Sequence, residues 1–189
     1  MGTLARQGRT EAVTRAPAEA VWRIVADVTR IGEWSHECRG ARLLGGATAA
    51  APGVRFRGQN RSGVFRWSRS CVFTVVEPPR TLVWQTGGLW GKVDSTRWRI
   101  DLEPVAGGTR IVQTYQVLRV APGMDRLYWR LIKAHRDRRE ALAGDLDRLA
   151  ELAVTQAGPV AYEARSPVRA TAPLPQVDPL RSHIGPPHP

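Results

Sequence analysis

The chain has 189 residues, 42% of them apolar and 24% charged, a balance that fits one globular domain with a tail and excludes wholesale disorder. Lys and Arg total 28 against 17 Asp and Glu, a net charge of +11, and two cysteines are too few for a disulfide framework. No uncharged apolar run approaches the roughly 18 residues of a membrane span, and Met1 to Thr10 lacks a signal-peptide core, so an intracellular, cytoplasmic protein is expected.

Arg9 to Thr14 reads as a short strand. Pro17 then suits a first helical position and Glu19 the positive end of the helix dipole. Val21, Trp22 and Val25 recur at helical spacing, and a second short helix runs towards Trp34. From Cys38 to Val120 the pattern has period two, broken by turn signals at Gly45-Gly46, Pro52-Gly53, Ser62-Gly63, Pro78-Pro79, Gly87-Gly88 and Gly107-Gly108. Six strands fit between those signals, seven in all, and the tight turns imply antiparallel neighbours.

Alternation assigns each strand an inner face. Val54, Phe56, Gly58 and Asn60 point inward on the third strand; Phe65, Trp67, Arg69, Cys71, Phe73 and Val75 on the fourth; Leu82 and Trp84 on the fifth. Thr96, Trp98, Ile100 and Leu102 do so on the sixth, and Ile111, Gln113, Tyr115 and Val117 on the last. A long helix follows from about Gly123 to Ala153, with Leu127, Leu131, Leu142, Leu146, Leu149 and Ala153 on one stripe. His135 and Arg138 fall on that same stripe. Gln156 to Pro189 holds eight of the 14 prolines and reads as a disordered or polyproline-like tail, leaving residues 1–155 as the domain.

The positive charge raises nucleic acid and anionic membrane as partners. Of the 28 basic residues 26 are Arg, a ratio that reads as GC-rich coding, and no run of like charge forms a basic arm. Arg55, Arg57, Arg97 and Arg99 form an outward stripe on neighbouring strands, yet no stacking platform accompanies it, which argues against nucleic acid. Transient contact with an anionic membrane stays open.

Trp34, Trp67, Trp84 and Trp98, with Phe56, Phe73 and Tyr115, are placed on or beside the inner face. Singly, such rings are ordinary core. Together they suit the wall of a cavity for a flat or polycyclic ligand. His135 is either a hydrogen-bonded helix histidine or a general acid/base near neutrality. The inward Arg69 and Arg138 each need a carboxylate, water or an anionic ligand, Glu37 being one possible partner. His36, Cys38, Cys71 and His135 lack tight zinc spacing, so no metal is expected, and the cysteines read as buried thiols. No cofactor is expected either, since GxGxxG, P-loop, HExxH and GxSxG motifs are absent.

Strand, two short helices, six antiparallel strands and a long C-terminal helix is the order of the helix-grip fold. The stretches Ala16-Pro17-Ala18-Glu19 with Val21-Trp22, Gly32 to Cys38, Gly53 to Arg61 and Gly107-Gly108-Thr109-Arg110 resemble the START-like SRPBCC superfamily. The likeness is to its polyketide cyclase/dehydrase and lipid-transport branch, over roughly residues 9 to 153. His36 departs from it, standing where the family pattern has proline. The resemblance implies an α+β helix-grip fold with a deep cavity between sheet and last helix. It implies binding or transport of a hydrophobic, lipid-like or polycyclic aromatic molecule. The enzymatic alternative is a cofactor-free cyclase, aromatase or dehydratase with His135 moving protons. A third reading makes the basic outer face or the Pro-rich tail an interaction surface.

Overall fold

Seven strands gather into one antiparallel sheet because each alternating stretch has a single apolar side to cover. The computed structural model describes residues 5–87, 94–120 and 138–158. The strands are β1 (Gln7–Thr14), β2 (Cys38–Leu43), β3 (Arg55–Ser62), β4 (Phe65–Glu77), β5 (Thr81–Gly87), β6 (Asp94–Val105) and β7 (Gly108–Val120). Their order is β1-β7-β6-β5-β4-β3-β2. Helix α1 (Ala18–Val25), a 3₁₀ turn (Val28–Arg30) and α2 (Ile31–Trp34) carry the chain from β1 at one edge to β2 at the other. Helix α3 (Arg139–Ala157) packs against β1, α1 and α2. This is the helix-grip arrangement.

The helix expected from Gly123 is thus described only from Arg139. Leu127, Leu131 and His135 lie outside the described residues, as does the proline-rich stretch from 159 onward. Leu142, Leu146, Leu149 and Ala153 are all buried, and the last three join Val21 and Ile24 of α1 and Leu82, Ile100 and Ile111 of the sheet in one core. Helix α3 continues to Ala157, two residues into the stretch assigned to the tail, and Arg30 donates to the Gln156 amide oxygen there at 2.7 Å. Among the described residues no helix is long and apolar enough to cross a membrane.

Two expectations about faces need correcting. A register shift between Phe73 and Val75 breaks the alternation of β4. Val76, paired with Leu82, therefore continues the inner face, while Val75 pairs with Val83 and lines the outer one. Phe65, at the β3–β4 hairpin, is exposed and does not cover the core. The arginine stripe also divides. Arg55 and Arg57 are on β3, Arg97 and Arg99 on β6, and β4 and β5 lie between them. At about 4.8 Å per strand the two pairs are roughly 14 Å apart and form no continuous patch.

Two glycines let elements approach more closely than a side chain permits. A Cβ on Gly32 of α2 would lie 2.3 Å from the Arg39 carbonyl oxygen, at the bulge in β2. One on Gly108 would lie 1.9 Å from the Thr14 carbonyl oxygen, where β7 passes the end of β1. Thr109 Oγ1 donates to the Ala16 carbonyl (2.8 Å) and Thr14 Oγ1 to Ala150 (3.0 Å), so that corner joins β1, β7 and α3. Gly40, by contrast, faces open space. Gly108→Ala is expected to lower unfolding free energy by at least ~2 kcal/mol in urea titrations, because backbone must move. Gly40→Ala should change it by under ~0.5 kcal/mol.

Candidate functional site

Helix α2 ends at Trp34, and the four residues after it turn under the sheet. Ser35 Oγ accepts the backbone N–H groups of Glu37 (3.3 Å) and Cys38 (3.0 Å), a side-chain turn that serine favours. The Glu37 carbonyl accepts from Arg61 N–H at 2.9 Å, anchoring the turn to β3. The His36 N–H donates to Asp145 Oδ1 at 2.8 Å, anchoring it to α3. One local turn and two long-range backbone contacts thus fix the position of His36 between β3 and α3.

Asp145 is 2% exposed and belongs to the buried stripe of α3. A buried carboxylate needs partners, and it has three: the His36 N–H, the His36 ring Nδ1 at 2.8 Å, and the Arg148 guanidinium. Arg148 Nε also donates to the Trp34 carbonyl at 2.9 Å, closing the loop between α2 and α3. A carboxylate offers only acceptors to this pair, so the imidazole proton is on Nδ1. In the neutral ring Nε2 then carries a lone pair.

A cavity of about 100 Å³ lies between this corner and the sheet. Trp34, His36 and Glu37 line it from the turn, Leu142 and Asp145 from α3, and Phe56, Arg69, Cys71, Trp84, Trp98 and Gln113 from the sheet. Trp84 and Trp98 are cross-strand partners and stack with ring centroids 6.2 Å apart at 10°. Trp98 meets Tyr115 at 5.3 Å, and Phe56 meets Phe73 at 4.8 Å. Three buried side-chain polar atoms among the described residues have no hydrogen-bond partner: Trp34 Nε1, His36 Nε2 and Gln113 Oε1. All three belong to residues lining this one cavity.

The sequence candidates sort accordingly. Trp34, Glu37, Phe56, Arg69, Trp84 and Trp98 line the cavity. Tyr115 and Arg138 stand behind Trp98: the Arg138 guanidinium is 5.8 Å from the Trp98 centroid and 5.4 Å from that of Tyr115. Burial pulls the Arg138 proton affinity below the ordinary arginine range, while the nearby Glu37 charge opposes that shift. Trp67, opposite Asn60 on the outer part of β4, is not among the lining residues. Arg69 is held by Asp94 through both guanidinium nitrogens (2.8 and 2.7 Å), a partner that the sequence reading, with Glu37, had not named. His36, Asp145 and Gln113 were not among its site candidates. The available signal was an acid inside the stripe between Leu142 and Leu149.

A larger open trough of about 850 Å³ lies on the other face of the sheet, bordered by Arg9, Thr74, Val83, Arg97 and Arg99. Its arginines at 9 and 99 are paired with Glu11 and Asp101, and it holds none of the unsatisfied buried atoms. The smaller inner cavity is therefore the candidate site. Among the described residues no cluster of metal-binding side chains occurs.

The family described as polyketide cyclase/dehydrase and lipid transport matches residues 7–154. No curated protein matches the chain. Among solved structures, the Zhui aromatase/cyclase from a Streptomyces species is similar at TM-score 0.59 and 13% identity, over 78% of this chain and 93% of that one. Protein MLL2253 from Mesorhizobium loti is similar at TM-score 0.56 and 21% identity (78% and 96% covered). Protein Ms6760 from Mycobacterium smegmatis gives 0.58 and 14% (78% and 90%). These likenesses support the fold.

Both cysteines line the cavity as free thiols. Burial pushes Cys38 up, and pushes Cys71 up to about 12, with Cys38 nearby adding to the shift. Cys71 in the native protein should react with iodoacetamide at pH 8 on the order of a thousandfold more slowly than an ordinary thiol. Peptide mass spectrometry with and without denaturant checks this.

Proposed function

The chain belongs to the polyketide cyclase/dehydrase and lipid-transport family, and on that premise we propose that it binds a hydrophobic, ring-containing small molecule in the cavity between sheet and α3. The observation that carries this reading is that the three residues holding unpartnered buried atoms all line one cavity. Leaving a buried donor or acceptor unmade costs about 1–3 kcal/mol each, so three in one place amount to an appreciable fraction of a domain's net stability. A ligand or ordered water that met them would recover that energy on binding.

The aromatic wall supports a flat occupant. Stacked Trp84 and Trp98 offer broad apolar surface, and Phe56 closes the side nearest β3. A cavity of about 100 Å³ is smaller than the roughly 150 Å³ that admits benzene, so a single ring enters only as lining side chains give, and a polycycle or lipid chain needs a larger movement. The orphan indole N–H and the two orphan acceptors favour a ligand with polar groups on a ring over a plain hydrocarbon. The catalytic alternative resting on His135 falls on a residue outside those described and draws no support from them.

Native mass spectrometry of the protein from its own host, compared with the denatured sample, tests the proposal. A stoichiometric small-molecule mass is the expected result; no bound mass, and no thermal shift across a library of ring compounds and lipids, overturns it. Gln113→Leu supplies a second check. Removing the orphan acceptor is expected to stabilise the ligand-free protein by about 1 kcal/mol while weakening ligand binding by about tenfold. Thermal unfolding and titration of the captured ligand read the two effects separately.

A further inference from the structure

We propose that His36 is the proton acceptor of this cavity, that Asp145 positions it, and that the ligand presents an acidic ring hydroxyl, a phenol or enol, to Nε2. The inference rests on the ligand-binding reading above and adds the chemistry of the occupant. It is carried by geometry. The Nδ1 edge of the ring faces a carboxylate that is itself fixed by the His36 N–H and by Arg148. The opposite edge, Nε2, is buried and has no hydrogen-bond partner among the described residues, and His36 is one of the residues lining the cavity.

That arrangement is unlike a merely structural histidine, whose two nitrogens are both satisfied when buried. Here one nitrogen is spent on orientation, and the other is a buried atom without a hydrogen-bond partner on a residue that lines the cavity. A carboxylate on Nδ1 fixes the tautomer and lies directly beside the imidazolium formed when Nε2 takes a proton. The step is balanced. The ligand O–H bond breaks, its proton joins Nε2, and the electron pair stays on the oxygen as a phenolate or enolate beside the new imidazolium–Asp145 pair. No oxidant, metal or co-reactant takes part. The remaining polar atoms fit the same occupant: the Trp34 Nε1–H is an unpartnered donor that suits an oxygen carrying negative charge, and the Trp84 and Trp98 faces suit its ring.

The choice of a hydroxyl follows from the sign of the free atoms. Nε2 of the neutral ring accepts, so it selects a donor on the ligand. A simple ketone or ether brings only acceptors and leaves Nε2 unsatisfied. A phenol or enol donates first and becomes an anion afterwards, and the same site serves both forms.

The experiment uses the full chain and two probes of one size, 4-nitrophenol, whose ionisation changes its absorption, and 4-nitrotoluene, which has no acidic hydroxyl. Binding is measured at a pH where free 4-nitrophenol is mostly neutral. The wild-type protein is expected to bind 4-nitrophenol roughly tenfold more tightly than 4-nitrotoluene and to hold it with the phenolate spectrum. His36→Phe and Asp145→Asn should both lose that spectrum and reduce the preference for 4-nitrophenol over 4-nitrotoluene to within about threefold. Far-UV circular dichroism and a cooperative thermal transition show that each variant is folded. Where His36→Phe does not fold, His36→Gln, which can hydrogen-bond but not take the proton, stands in its place. Binding of both probes with 4-nitrophenol neutral, or a phenolate spectrum that survives loss of His36, overturns the inference and leaves the binding proposal standing. If neither probe binds, this inference fails, and the native mass spectrometry above decides the binding proposal separately.

Discussion

A carboxylate taken out of water must be compensated where it lies, and the burial of Asp145 imposes that demand on everything around it. Its oxygens draw the His36 N–H, the His36 ring and Arg148 to one point on α3. Arg148 in turn takes the carbonyl at the end of α2. The last helix is thereby locked to the turn after α2 by polar contacts of fixed direction, where an apolar contact would tolerate sliding. Gly32 allows that turn to sit close to the β2 bulge, and Ser35 shapes it. Pairing of this kind adds little net stability over a well-packed apolar corner, but it specifies one arrangement.

The sheet contributes the opposite quality. Its inner face is largely apolar, and the register shift in β4 returns Val76 to the core after Phe73. Around the cavity, the large rings of Trp84, Trp98 and Phe56 stand in place of aliphatic side chains. Rings on a sheet and a short helix end do not interdigitate as leucines do, and the space left between them is the cavity. Packing is tight where Ile24, Ile100, Ile111 and Leu149 meet, each 1% exposed or less. It is loose where Gln113, Trp34 and His36 keep unmet polar atoms. Stability is concentrated in one half of the core, and the other half is left incomplete.

Much of this was legible along the chain because period two and the helical stripe are local properties. The burial of Phe56, Leu82, Trp84, Ile100 and Ile111 follows from alternation alone, as that of Leu142, Leu146 and Leu149 follows from a 100° repeat. Alternation failed at Val75 because a bulge adds a residue to one strand without marking it in the composition. It failed for the arginine stripe because β3 and β6 look like neighbours only until the strands between them are counted. The partnerships were harder still. Arg69 finds Asp94 across 25 positions and His36 finds Asp145 across 109, and no local period links such pairs. The one local sign was chemical: an aspartate on a stripe of leucines is costly unless something distant repays it.

That cost explains how a cavity of modest size can discriminate. An apolar wall accepts any ring of suitable thickness, and an added or missing methylene changes affinity by only ~1–3 kcal/mol. Polar atoms that are buried and unpaired act differently, because a ligand that fails to meet them leaves their desolvation uncompensated. Trp34 Nε1 demands an acceptor, while Gln113 Oε1 and the neutral His36 Nε2 demand donors. The surrounding charges are largely committed elsewhere: Arg69 to Asp94, Asp145 to His36 and Arg148. Under the proposed reading, recognition depends on unpartnered hydrogen-bonding groups set in an aromatic wall more than on the +11 net charge of the chain.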